Sequence, residues 1–342
     1  MQNIPIPKLA ASRHHDENNG PMTFAEWKAQ RTAAAQALYN ALPGPVDPPN
    51  VFEVHPYRHF QDNMPLRPAC YLIGTAPPCS YLRENVPAMP AVYHGQIAID
   101  GAHVGAAPDL SFYHGNQNSL WSALGFARET PEHVLEELRE RNIRYDDILY
   151  SWSRMDFSST MDQHLTDIVP NVDLLQDIWE REDRPFLWFT NSGVFNQGGV
   201  CLHVNQNDHG TPGRVMAHGQ NVKAYNVFLR AWQEFGGRIW LRRSADQEWM
   251  EVSLANSMDI QANFCHRLRH ELRIEWKREV REYPVLSGPS PAGGAAMQLV
   301  HHPLYQAWAA EQTPLPQFPT TAFKTHVYDI FLQWIQEHPA NV

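Results

Sequence analysis

Cysteine is scarce and scattered. The four present, Cys70, Cys79, Cys201 and Cys265, form no Cys-x-x-Cys pair. That spacing argues against a disulfide framework or a zinc ribbon, and a reducing cytoplasm is the expected compartment. No apolar run is long enough to cross a bilayer, so no membrane helix is expected. The first residues, Met1 to Lys8, carry no continuous apolar core, which argues against a signal peptide. Positive charge is in deficit: 27 Lys and Arg face 37 Asp and Glu, a net charge of −10. That is the wrong sign for a protein that coats nucleic acid through its overall field, but it permits a local basic groove. Internal repeats and low-complexity tracts are absent.

What the chain has is a globular composition. Its 342 residues are 43% apolar, enough to bury a core without covalent staples. Residues 1–50 read as an amino-terminal arm and helix. Thr23 to Glu26 forms a capping box, and the helix should run to about Leu42, where Pro43 and Gly44 stop it. Residues 51–342 read as one domain, partly interrupted by an insertion near 193–282. Four apolar runs, Cys70–Ile73, Ile148–Trp152, Phe186–Phe189 and Tyr283–Leu286, are expected to be buried strands. Helical patterns lie between them: Thr130 to about Asn142, Asn171–Arg181 and Val222–Phe235. Within the insertion, Val200–Val204, Arg238–Leu241 and Trp249–Val252 look strand-like. The alternation implies an α/β fold with a mainly parallel sheet. Ligands bind such sheets at the carboxyl ends of the strands.

The residues after each strand are therefore the candidates for chemistry. Gly74, Thr75 and Ala76 follow the first strand and run into Pro77 and Pro78, a rigid turn that can offer backbone N–H groups. An ordinary strand exit has the same look. Asp109, Phe112, Tyr113, Asn116 and Asn118 crowd together before Trp121, which itself reads as core. Aromatics there can stack on a flat ring, and carboxamides can hold a water or a base edge. A plain helix cap at Asn118 or Ser119 is the simpler alternative. Ser151 and Arg154 follow the second strand; Arg154 suits a phosphate or a structural ion pair equally. Asn191 follows the third. Ser287, Ser290 and Gly293 lie in a Gly/Pro loop whose amides can grip an anion.

In this order and spacing the pieces resemble the uracil-DNA glycosylase superfamily, from His55 to about Gly294. Leu72 to Pro78 is similar to its first motif, a strand and a Gly-x-x-Pro turn. Tyr113, Asn118 and Trp121 stand at the spacing of an element found in the hypoxanthine-type branch. Asp147 to Arg154, then Ser158, Ser159 and Asp162, resemble the next element, and Val285 to Gly294 resembles the closing motif. Two departures stand out. Thr75 and Ala76 occupy the place where the best-known members carry an acid or an Asn, and Leu286–Gly294 lacks their histidine.

The resemblance implies a three-layer α/β/α fold around a central, mainly parallel four-stranded sheet. It implies a DNA glycosylase that flips out a damaged or modified base and hydrolyses its N-glycosidic bond, with no cofactor, no metal and DNA as partner. A cytoplasmic monomer is expected. Asn118 is the leading catalytic candidate, followed by Asn116 and Asp109. Gly74, Thr75, Ala76, Phe112, Tyr113, Ser151 and Asn191 would hold the base. Arg154, Ser287, Ser290, Gly293 and Gln298 would hold DNA, with Met297, Gln298 or Leu299 as a wedge in the duplex. Arg242 and Arg243 offer a further DNA contact. So does 266–281, with six Lys or Arg against three Glu, where a solvated helix is the plain alternative. On such a helix His266 and His270 would sit one turn apart, at the spacing of two zinc ligands without a third. His301 and His302 could touch phosphate. The altered motifs suggest a bulky base, such as a modified cytosine of viral DNA removed in defence. A catalytically inactive DNA binder and a small-molecule nucleoside hydrolase remain alternatives.

Overall fold

The computed structural model describes residues 51–54, 64–76, 119–126, 131–154, 165–190, 195, 223–253, 264, 266–291 and 296–337. Its strands are β1 Val51–Val54, β2 Cys70–Gly74, β3 Ile143–Asp147, β4 Leu149–Arg154, β5 Leu165–Pro170, β6 Phe186–Phe189, β7 Arg238–Arg242, β8 Met250–Glu251, β9 Arg269–Trp276 and β10 Glu279–Ser287. Its helices are α1 Ser119–Ala123, α2 Pro131–Glu140, α3 Val172–Glu180, α4 Ala224–Glu234, α5 Ala296–Leu299, α6 Pro303–Glu311 and α7 Pro319–Glu337.

β2 and β6 are apolar at adjacent positions and so must be covered on both faces. Tyr71, Ile73, Leu187 and Phe189 point into one core, which α3 and α4 close. Cys70, Leu72, Phe186 and Trp188 point into another, closed by α1, α2 and α7. The sheet thus lies between helices on both sides. Trp188 is fully buried and packs edge-on against Tyr328 and Phe331 of α7 at centroid distances of 5.1 and 5.0 Å. Such pairs add about 0.5–1.5 kcal/mol each to simple burial.

The central sheet has seven strands in the order β3-β2-β6-β10-β9-β7-β8. The first four are parallel neighbours, and β9, β7 and β8 add an antiparallel wing. The central sheet is thus wider than the four strands expected, and its parallel part is β3-β2-β6-β10. A second, three-stranded sheet has the order β1-β4-β5 and antiparallel pairing.

Two expectations are corrected. Ile148–Trp152 is not a strand of the central sheet. That place belongs to β3, and β4 turns away after Ile148 to pair with β1 and β5. The stretch 266–281 is not a helix but the β9–β10 hairpin. Trp276 pairs with Glu279 across Lys277 and Arg278, whose φ angles of 50° and 68° make a primed two-residue turn. In β9 the residues His270, Leu272, Ile274 and Trp276 alternate inward, while Arg269, Glu271, Arg273 and Glu275 face the other way.

Candidate functional site

The parallel strands end together at one edge, which carries Gly74, Asp147, Thr190 and Ser287. Gly74 and Asp147 are register partners across β2 and β3. The chain leaving β3 is stitched to the exit of β2: Ile148 N–H donates to the Gly74 carbonyl at 2.9 Å and Leu149 N–H to the Thr75 carbonyl at 3.2 Å. Thr75 is buried, and Ala76 packs on the core. At the end of β6, Thr190 donates both its N–H and its hydroxyl to the Ile73 carbonyl, at 3.0 and 3.3 Å.

Two buried aspartates stand at this edge. Asp146 accepts from the Asp147 N–H at 2.8 Å and from Asn171 Nδ2 at 3.1 Å. Asn171 Nδ2 also donates to the Asp147 carbonyl at 3.0 Å, while its Oδ1 caps α3 by accepting from Leu174 N–H at 3.2 Å. Asp147 is 1% exposed, and its Oδ1 accepts from the Tyr145 hydroxyl at 3.1 Å. Thr75 and Ala76 bring no acid, so among the described residues Asp147 supplies the carboxylate set against the first turn. In the sequence Asp147 stands out only as the first residue of a motif. The available signal was an Asp doublet closing a strand beside a glycine turn.

The closing loop is held from behind by α7. Tyr328 hydroxyl donates to the Pro289 carbonyl at 2.7 Å, and Lys324 Nζ to the Pro291 carbonyl at 3.1 Å. Gly288 lies so close to this helix that a Cβ would stand 2.9 Å from Phe331 Cε2. Ser287 is fully buried and donates its N–H to the Leu268 carbonyl at 2.9 Å. Burial lowers the Lys324 ammonium to a pKa of about 8.

The structure thus brings Gly74, Thr75, Ala76, Ser287 and Ser290 to one edge. Arg242 and Arg243 close β7, which runs in the same direction as β10, so they share that edge further along the sheet. Ser151 and Arg154 lie on β4 in the small sheet, paired with Val54 and Val51. Gln298 on α5 is exposed. Leu299 is buried in the core, which removes it as a wedge. Asn118, Asn116, Asp109, Phe112, Tyr113, Asn191 and Gly293 lie outside the described residues.

His270 and His302 take structural positions. His270 sits in β9, fully buried, 2.6 Å from the Tyr225 hydroxyl through Nε2. Burial lowers its pKa to about 3, so it is neutral. With β9 extended, His266 and His270 are not one helical turn apart. His302 is also buried and caps α6: its Nδ1 accepts from Leu304 N–H at 3.2 Å. Nε2 therefore carries the proton, which it directs to the Phe195 carbonyl at 2.6 Å, with His266 Nδ1 2.9 Å away. His302 is thus a joint of the fold and not a phosphate contact. Among the described residues no group of three His, Cys, Asp or Glu is placed to hold a metal ion. No described helix is long and apolar enough to cross a membrane. No protein-family model, curated protein or solved structure matches the chain.

Proposed function

We propose that the chain is a DNA glycosylase of the uracil-DNA glycosylase type, acting on a flipped-out base. The observation that carries the reading is the meeting, at one sheet edge, of segments far apart in sequence. These are the Gly74–Ala76 turn, the Asp147 carboxylate and the Ser287–Ser290 loop. The reading takes β3-β2-β6-β10 as the superfamily's four-stranded sheet and β9-β7-β8 as an added wing.

The chemistry follows from what base release requires. The sugar becomes oxocarbenium-like and the base leaves with negative charge, so the enzyme needs a water or polar group at the sugar and N–H donors at the base. Asn118 holds the water in this reading, with Asn116 and Asp109 as the neighbouring alternatives. Phe112 or Tyr113 stacks on the base, and the amides after Gly74 and around Ser290 face the departing charge. Extruding the base costs a few kcal/mol, least for a damaged or modified one. A bulky modified cytosine of viral DNA is the substrate class to test beside uracil and hypoxanthine.

The test is incubation with duplex and single-stranded oligonucleotides carrying a panel of bases, followed by alkali to cleave abasic sites. Cleavage at one modified base supports the reading. DNA binding without cleavage on any base would favour the inactive binder, a reading supported by the lack of an acid at Thr75 and Ala76 and of a histidine in Leu286–Gly294.

A further inference from the structure

Arg242 and Arg243 end β7 at the same sheet edge as Gly74 and Ser287. They line a pocket of about 280 Å³ together with Gln247, Glu248, Met250 and Phe264. Carboxylates stand near both arginines, Glu271 and Glu282 by Arg242 and Asp246 by Arg243, but neither arginine has a close, unshared ion pair among the described residues. Arg243 donates Nε to Gln247 Oε1 at 2.7 Å and has no carboxylate at ion-pair distance among the described residues. Arg242 reaches a carboxylate only at 4.0 Å, on Glu282. That carboxylate is already taken: Glu282 Oε1 accepts from Arg273 Nε and Nη2 at 2.9 and 2.6 Å, and Oε2 lies 3.6 Å from Arg184. The Arg242 Nε is buried without an acceptor, and Nη1 makes a long bond, 3.3 Å, to the Ala245 carbonyl.

The guanidiniums are also held in place. Arg242 lies over the Trp249 ring at 4.3 Å, and Arg273 lies over the same ring at 4.2 Å. A guanidinium fixed by stacking loses little entropy when it binds an anion, and its planar fork suits a phosphate. Glu248, on the pocket rim, and Asp246 are exposed. The Asp246 carboxylate is held by Ser244 and stands near Arg243.

We infer that this pocket seats a backbone phosphate of DNA, gripped by Arg242 and Arg243, at a distance from the flipped base. The inference rests on the DNA-binding half of the proposed function and not on base release. Four strand spacings separate β2 from β7 through β6, β10 and β9, which is about 19 Å. One phosphate of a strand occurs per ~3.4 Å of duplex axis, so the contact falls about five to six nucleotides from the target. The seat reads no sequence; it sets register and adds salt-dependent affinity.

The test uses a duplex of ordinary bases, so that no cleavage intervenes, and measures affinity by fluorescence anisotropy over a range of NaCl. Arg243→Ala should weaken low-salt binding several-fold and flatten the log K against log salt slope by about 0.9, one phosphate contact. Arg243→Lys should restore most of the slope. Arg139→Ala, exposed in the last turn of α2 beside the amino-terminal edge of the sheet, should change neither quantity. An unchanged slope in Arg243→Ala, or an equal loss in Arg139→Ala, overturns the seat. So does a wild-type chain that binds no DNA. Inorganic phosphate and a mononucleotide are titrated in parallel. If Arg243→Ala abolishes their binding but leaves the duplex slope intact, the pocket serves a small phosphate ligand and the DNA assignment is wrong. Base release with an unchanged slope would remove this inference alone; a lost slope without base release would remove the glycosylase reading alone.

Discussion

A Cβ placed on Gly74 would stand 2.0 Å from Oδ1 of Asp147 and 2.7 Å from the Tyr145 hydroxyl. The end of β2 is therefore pressed flush against a buried carboxylate, with no room for any side chain. Glycine is required here for space, not for an unusual backbone angle. The contact joins the first turn of the candidate site to the end of β3.

Gly74→Ala should destabilise the fold by about 1–3 kcal/mol, because the added methyl must displace Asp147 or spread the strands. Urea unfolding measures the loss. Asp147→Ala in the same chain empties the contested space, so the double variant should lose less than the sum of the two single ones. Strict additivity would show that the two residues do not press on each other.

Asn118→Ala should abolish base release while duplex affinity survives. Single-turnover rates and anisotropy on the same protein separate the two effects. Wild-type rates in the variant would shift the assignment to Asp109, tested next as Asp109→Asn.

His270 should make the fold acid-labile. Its folded-state pKa, about 3, lies below the ordinary histidine value because burial penalises the cation. The unfolded chain therefore binds the proton first as pH falls. Stability is fully present above about pH 6.5 and declines as pH falls toward 3. The expected loss from this group at pH 5 is about 2 kcal/mol. His270→Phe should cost stability at pH 7 but remove that part of the acid dependence. Melting curves at pH 5 and 7 decide it: an equal pH response in both proteins would show that His270 does not carry the effect.

Asn171→Ala should cost about 2 kcal/mol, since it removes the α3 cap and the donors to Asp146 and to the Asp147 carbonyl. Asn171→Asp keeps a capping oxygen but sets a carboxylate against Asp146. It should therefore be nearly as damaging at neutral pH and recover in relative terms near pH 4, where one acid takes up a proton. Denaturant midpoints at the two pH values measure this.

Local pattern made much of the frame legible. The apolar runs at Cys70 and Phe186 emerge as β2 and β6, and α2, α3 and α4 lie close to their expected bounds. Asn171 opens α3 as its cap. Ile143–Asp147 escaped notice because Arg144 and two aspartates mask the apolar positions, although β3 completes the parallel block. Residues 266–281 misled for a geometric reason. Arg269, Arg273, Lys277 and Arg281 recur every four residues. Four is nearly one helical turn, but it is also two strand repeats, so both structures put Arg269 and Arg273 on one side, while the turn at Lys277 sends Arg281 to the face of its partner Ile274. The inward period of two, His270, Leu272, Ile274 and Trp276, is the part that distinguishes them. The turn lacks the Asn-Gly or Gly signal of a tight hairpin, since Lys277 and Arg278 adopt positive φ instead.

Local pattern alone requires a mainly parallel sheet to be covered on both faces. Runs such as Tyr71–Leu72–Ile73 and Leu187–Trp188–Phe189 leave no face for water, and that follows from the period-two geometry of a strand alone. It also put Gly74 and Ser287 at strand ends. What those ends meet is set by long-range packing. The contacts of Gly74 with Asp147, of Tyr225 with His270 and of Arg242 with Glu282 join residues far apart in the chain. Their formation depends on strand order, register and the packing of α4 and α7. Those are set by the summed burial of two cores, and no local pattern in the chain encodes them.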